Sequence, residues 1–185
     1  MNVITDLKIL LLGHTGQIGW ELERAVAPLG QVIAPDSPRL DLRRPADIRG
    51  WITDVAPEII VNAAAYTMVD KAEAEPKTAM AINGVAPGGI AQAAKKVGAV
   101  VIHYSTDYVF DGIKTAPYRE DDRTNPINVY GASKLAGEQA LQDSGAPFFL
   151  FSGQAGSTAS AATILCAPFS GLPQNSNSLR LSMTS

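Results

Sequence analysis

The chain has 185 residues, 46% hydrophobic and 18% charged, a globular composition long enough for one domain with its own core. A net charge of −3 gives no basic footprint for nucleic acid, and no apolar run reaches the roughly 18 to 20 residues that span a bilayer. Cys166 is the only cysteine, which excludes an intrachain disulfide and a cysteine-built metal cluster; with no leader-like pattern over Met1 to Asp6, the expectation is a cytoplasmic protein.

Leu7 to Leu12 is a short apolar run ending at Gly13, the pattern of a buried parallel strand. Gln17 to Pro28 carries Ile18, Leu22, Ala25 and Val26 at helical spacing, with Gly30 at its exit. Gln31 to Ala34 reads as a second strand, stopped by Pro35-Asp36. A helix over about Pro45 to Val55 leads to a third strand, Ile59 to Asn62. The alanine-rich stretch from about Glu75 to Val97 reads as helix, with Pro87-Gly88-Gly89 as a weak point inside it. Val100 to Ser105 is a fourth strand. After a long polar loop, Val129 to Gln142 reads as a helix and Phe148 to Phe151 as a fifth strand. Short apolar runs alternating with helices predict βαβ units, hence a Rossmann-type α/β fold, a doubly wound parallel sheet with helices on both faces. Ligands of such sheets bind beyond the carboxyl ends of the strands, where Gly13, Asn62 and Ser105 fall.

Gly13-His14-Thr15-Gly16-Gln17-Ile18-Gly19 joins the first strand to the first helix. Glycines at this spacing turn the chain tightly, let the backbone approach a ligand and bring the positive helix end to a diphosphate. Asp36, at the end of the second strand, stands where an acid meets adenosine ribose hydroxyls, which favours NAD(H). Arg39, Arg43 and Arg44 follow closely and suit the 2′-phosphate of NADP(H), so the two cofactors stay open. Tyr130 and Lys134, four apart on one helix face, are a phenol and the cation that would make it a usable acid-base group. Ser105-Thr106-Asp107 at a strand end offers a hydroxyl for a substrate carbonyl.

Together with Thr106 and Tyr130-x-x-x-Lys134, the glycine turn resembles the extended short-chain dehydrogenase/reductase family. Val61 to Thr67, Val69 to Glu73, His103 to Phe110 and Asn128 to Gly131 are similar to the dTDP-4-dehydrorhamnose reductases within it, over about Leu7 to Leu150. The resemblance implies reduction of a 4-keto dTDP-sugar by NADP(H) or NAD(H) in dTDP-rhamnose synthesis. It makes Tyr130 the proton donor, Lys134 the group that lowers the tyrosine pKa and holds the nicotinamide ribose, and Thr106 the partner of the carbonyl oxygen. It assigns Gly13, Thr15, Gly16, Gln17, Ile18, Gly19, Asp36, Asp41, Leu42, Ala63, Ala65, Tyr66 and Thr67 to the cofactor, beside Tyr130 and Lys134. Asp107, with Thr106, goes to the sugar. Some members bind Mg²⁺ through acids at a homodimer contact, and Glu21 matches one, but a helix-surface acid is the preferred reading. His14 and His103 are read as ordinary local residues. A non-catalytic cofactor-binding subunit and a sugar-nucleotide epimerase are the competing functions.

From Phe151 to Ser185 the chain has eight serines and one charged residue, Arg180, against 32 charges before it, so this segment does not read as the same domain. The expected boundary is 1–151 for the Rossmann domain and 152–185 for an aberrant tail. Family members continue after the fifth strand with Arg-Thr-Ser-Trp-Val-Tyr-Gly. Reading from the third base of the Ser152 codon, with one free base per codon, can restore that segment and its continuation. The hypothesis is therefore a frameshift near Ser152 that removes the sugar-binding region and leaves weak or absent turnover; the alternative is a divergent tail. Cys166, Pro168 and Phe169 carry no function on this reading.

Overall fold

The computed structural model describes residues 7–119, 121–153 and 163–166. Five parallel strands are ordered β2-β1-β3-β4-β5: β1 Leu7–Leu12, β2 Gly30–Ile33, β3 Ile59–Asn62, β4 Val100–Thr106 and β5 Phe148–Gly153. A sixth, β6 Thr163–Cys166, adds antiparallel to β5, with Phe149 opposite Cys166 and Ser152 opposite Thr163. The parallel sheet is the expected one. The antiparallel edge was not foreseen: with so few charges in the tail, no hydrophobic period distinguished a strand from loop. Pro168 and Phe169 lie outside the described residues.

The helices are α1 Gln17–Val26, α2 Pro45–Val55, α3 Val69–Ala74, α4 Pro76–Ala79, α5 Ala86–Val97 and α6 Val129–Ser144. Alternate side chains of β1 feed two cores, as period-2 geometry requires. Leu10 and Leu12 pack with Ile48 and Ile52 of α2, Ile90 of α5 and Leu141 of α6. Ile9 and Leu11 face the opposite way, toward Leu22 and Val26 of α1. Each strand of the doubly wound sheet is therefore apolar on both faces, which explains runs such as Ile59-Ile60-Val61.

The predicted first helix ends at Val26 and tightens into one 3₁₀ turn, Ala27–Leu29. The weak point in the alanine-rich stretch lies upstream of its proline. Pro87 sits in the first turn of α5, where its missing N–H is tolerated. The helix widens just before it, over Met80–Val85, into a π-turn in which the Ala86 N–H donates to the carbonyl of Ala81. With no N–H at Pro87, the Asn83 carbonyl has no partner four residues on, and the chain accommodates this by widening. Helix α6 lies close against that turn: a Cβ on Gly137 would come within 2.1 Å of the Asn83 carbonyl oxygen.

Candidate active site

The carboxyl ends of β1, β3 and β4 carry the candidate residues. After Leu12, Gly13 turns in the left-handed region at φ 84°, and a Cβ there would meet the Ala64 backbone at 2.6 Å. A Cβ on Gly19 would meet the Gly13 carbonyl oxygen at 2.0 Å. These two glycines let helix, strand and the β3 loop touch. Gly16 is different: its nearest such contact is 3.4 Å and its φ is −82°, so neither packing nor backbone strain requires glycine. It caps α1 without a side chain, leaving first-turn N–H groups of Gln17, Ile18 and Gly19 with no intrahelical acceptor. An open backbone at a positive helix end is a cradle for a diphosphate.

Beside the turn lies a recess of about 40 Å³ walled by Gly13, Thr15, Asp36, Leu42 and Ala64. Asp36 Oδ1 is shielded from solvent with no hydrogen-bond partner, an acceptor suited to a ribose hydroxyl. The arginines weighed for a 2′-phosphate all have carboxylates already. Arg43 grips Asp41 through Nε and Nη2 (2.9 and 2.7 Å), Arg44 lies 3.8 Å from Asp41, and Arg39 lies 3.7 Å from Asp36. The Arg43 hydrogen bonds hold the Asp41 carboxyl down at about 2. His14 leans toward α1, with Nδ1 3.4 Å from Glu23. Glu21 is on the exposed side of α1 and belongs to no group of three potential metal ligands among the described residues.

Helix α6 presents the other half. Asn128 caps it, its Oδ1 accepting from Gly131 N–H at 2.7 Å, which fixes the first turn on which Tyr130 stands. A Cβ on Gly131 would lie 2.1 Å from the Tyr108 carbonyl oxygen, so glycine brings this turn against the end of β4. Tyr130 is half-buried, with Tyr108 edge-on at 5.4 Å between ring centroids. Burial pushes its phenol above 10, with the Thr106 hydroxyl pulling the other way. Thr106 is 5% exposed, its Oγ1 accepting from Tyr108 N–H at 3.3 Å and donating to Asp107 Oδ1 at 3.2 Å, a proton that a substrate carbonyl would have to draw away from Asp107. Asp107 also borders a cleft of about 510 Å³ lined by Tyr108, Phe110, Lys114, Tyr118 and Ile127.

Lys134 is 2% exposed, and burial lowers its ammonium to about 8, with Glu138 one turn on opposing the shift. Nζ donates to the carbonyl of Tyr104 and lies 3.5 Å from His103 Nε2. The expected lowering of Tyr130 by Lys134 is absent: the phenol is raised, because burial dominates and the ammonium is committed to the β4 backbone and His103. A phenol raised in this way is fully protonated at neutral pH, the state required of a proton donor.

Three side chains that brace the candidate site, Asn83, Ser133 and Glu138, were not singled out from the sequence, and a fourth, His103, was read there as an ordinary local residue. Asn83, 1% exposed in the π-turn, accepts from Tyr66 N–H at 2.8 Å and donates through Nδ2 to the Tyr66 carbonyl and to Ser133 Oγ, both at 3.0 Å. Ser133 Oγ in turn donates to the Tyr130 carbonyl at 2.7 Å. One amide thus ties the Ala63 to Thr67 loop to the helix that carries Tyr130 and Lys134. A polar Asn83 inside an alanine-rich run was the available signal. His103 and Glu138 are both buried, Glu138 accepting from the Ser105 hydroxyl; their burial was not legible without the fold.

Residues 7–151 match the RmlD substrate binding domain model. The chain belongs to that family. It is 50% identical over 145 residues to the dTDP-4-dehydrorhamnose reductase of Burkholderia thailandensis, covering 78% of this chain and 49% of the relative. It is 52% identical over 149 residues to the enzyme of the same name from Escherichia coli K12, of which it covers 50%. The crystal structure of dTDP-4-dehydrorhamnose reductase from Bacillus anthracis in complex with NADP superposes with a TM-score of 0.78 at 34% identity, over 80% of this chain and 53% of that one. The chain therefore spans about half the length of the family members it matches. No described helix is long and apolar enough to cross a membrane.

Proposed function

We propose that residues 1–151 are the dinucleotide-binding and proton-donating half of a dTDP-4-dehydrorhamnose reductase, working in the cytoplasm on a 4-keto dTDP-sugar with NADP(H) or NAD(H). The observation that carries this is the placement, along the carboxyl edge of one parallel sheet, of an open Gly16 cradle after β1 and, by the end of β4, of a protonated Tyr130 beside Thr106 and a buried ammonium at Lys134. The groups fit a nicotinamide dinucleotide: Gly16 and the first-turn amides suit the diphosphate, and Asp36 Oδ1, which makes no hydrogen bond and only a 3.7 Å ion pair with Arg39, suits the adenosine ribose. Ala63, Ala65, Tyr66 and Thr67, on the loop that Asn83 fixes, wall the middle of the site.

The cofactor, when bound, supplies the hydride. Thr106 Oγ1 donates to the sugar's carbonyl oxygen, a contact that strengthens as negative charge develops there. Tyr130 gives its phenolic proton to that oxygen. Lys134, held against the Tyr104 carbonyl, supplies a positive charge suited to a ribose hydroxyl of the cofactor. Asp107, bordering the larger cleft, holds sugar hydroxyls.

Residues 152–185 are, on this reading, an out-of-frame tail rather than a domain. An intact reading frame across Ser152, with a matching intact protein mass, would contradict it. The function is tested with the chain in excess over dTDP-4-keto-sugar, following NADPH absorbance and sugar products. We expect slow, sugar-dependent consumption of NADPH that Tyr130→Phe abolishes. Equal consumption by the variant, or an isomerised sugar with no net NADPH loss, would overturn the reductase assignment. The second outcome would mark an epimerase.

A further inference from the structure

Beneath Lys134 the sheet carries a polar chain that the proposed chemistry does not use. His103 on β4 is 1% exposed and stands between two side chains: Asn62 on β3, its amide nitrogen 3.0 Å from Nδ1, and Lys134 on α6, 3.5 Å from Nε2. Asn62 and His103 are direct register partners across β3 and β4, so the sheet sets their separation. Asn62 is itself 1% exposed, and its Oδ1 is a buried acceptor with no donor.

The proton inventory decides how these groups are arranged. A buried imidazole beside an ammonium is neutral, so one ring nitrogen is N–H and the other a lone pair. If Asn62 donated to Nδ1, the proton would sit on Nε2 and point at the Lys134 ammonium, donor against donor. Turning the Asn62 amide over removes that conflict: Oδ1 accepts from Nδ1–H, and Nε2 faces Lys134 with its lone pair. Amide oxygen and nitrogen are interchangeable in shape, so the turn leaves the packing unchanged.

We propose that His103 is a positioning residue, fixed by Asn62 as the neutral Nδ1–H tautomer so that Nε2 accepts one ammonium proton of Lys134. The Tyr104 carbonyl accepts a second. Of three N–H donors, one remains, the number needed to meet a ribose hydroxyl or the Tyr130 phenol. The ammonium is thereby held by two acceptors belonging to one strand, β4, whose end also carries Thr106. The charged groups that face this chain among the described residues are Lys134, beside the ring, and Glu138, one turn further along α6 and paired with the Ser105 hydroxyl of β4. The inference deepens the reductase reading, but its first test does not depend on that reading.

Only two histidines occur in the chain, His14 and His103. The full chain labelled with [¹⁵N]histidine therefore gives two ring systems in a long-range proton–nitrogen spectrum, and His14→Gln assigns them. We expect His103 to show a protonated Nδ1 and a bare Nε2, unchanged from pH 5.5 to 8. A bare Nδ1, or a ring that takes up a second proton in that range, overturns the proposal. The second test uses NADPH affinity. His103→Phe keeps the ring and loses the acceptor, and should weaken binding about tenfold, as expected for one lost bond to a charged donor. His103→Gln, which can place an acceptor near Nε2, should restore most of it. Equal affinity of His103→Phe and the unsubstituted chain, both folded by circular dichroism, overturns the positioning role. Failure of the unsubstituted chain to bind either NADPH or NADH would count against the reductase reading and leave the tautomer result to decide this one.

Discussion

Gly16 and Gly19 look equivalent in sequence, yet replacing each by alanine should give opposite results. At Gly19 the new Cβ would lie 2.0 Å from the Gly13 carbonyl oxygen, 2.6 Å from its carbon and 2.7 Å from the His14 Cα. All three are backbone atoms of a turn pinned against Ala64, so no side chain can rotate away. The first contact is roughly 1.4 Å short of ordinary van der Waals distance, and helix α1 must lift off β1 to relieve it. Overpacking of this kind costs about 3 kcal/mol. For a chain of this size that lowers Tm by roughly 6 to 12 °C. At Gly16 the Cβ would be 3.4 Å from the same oxygen, at a φ open to any residue. Stability should change by no more than about 0.5 kcal/mol, since a lost N-cap preference is offset by a less flexible unfolded chain. NADPH affinity should nevertheless fall by at least about tenfold, because the methyl group occupies the place where a diphosphate would approach the amides. Thermal unfolding and NADPH titration of both variants read the two effects separately. A Gly16→Ala chain that binds NADPH normally would show that the turn serves packing alone. A Gly19→Ala chain with unchanged Tm would show that the helix is not held where the geometry puts it.

Asn83→Ala should lower stability by about 3 kcal/mol, since it strips partners from the buried Tyr66 backbone and from Ser133 together. Urea unfolding checks this, and a loss under about 1 kcal/mol would mean the amide is dispensable. Lys134 gives a pH signature. Its folded-state pKa of about 8 lies below the ordinary 10.5, so between those values the unfolded chain binds the extra proton and stability from this group rises with pH. NADPH affinity should fall over the same interval as the ammonium loses its charge. Lys134→Met should abolish both trends; persistence of either in that variant would assign it to another group.

The parallel sheet was legible because each strand is apolar on both faces, and the glycine turn because its spacing is tied to one backbone geometry. Tyr130 and Lys134 were legible as an i,i+4 pair. What Lys134 touches was not. Its partners are a carbonyl on β4 and a histidine 31 residues away, brought together only by the register of β3, β4 and α6. The expectation of a lowered Tyr130 pKa failed for that reason, since spacing says two groups share a face but not where the charge is spent. The π-turn was half legible. Pro87 announced a disturbance, but the response came a turn earlier, and only then did Asn83 become the tie between loop and helix.

The claim on which the rest depends is that residues 1–151 form a working dinucleotide site. Trp20 on α1 and Trp51 on α2 are the two tryptophans of the chain, and energy transfer from them to bound NADPH reads occupancy directly. The account predicts saturable binding with a Kd between about 1 μM and 1 mM, the range of ordinary enzyme–substrate affinities, and loss of that binding in Gly16→Ala. A folded chain that shows no saturation with either NADPH or NADH up to about 1 mM, or whose signal Gly16→Ala leaves unchanged, would contradict it.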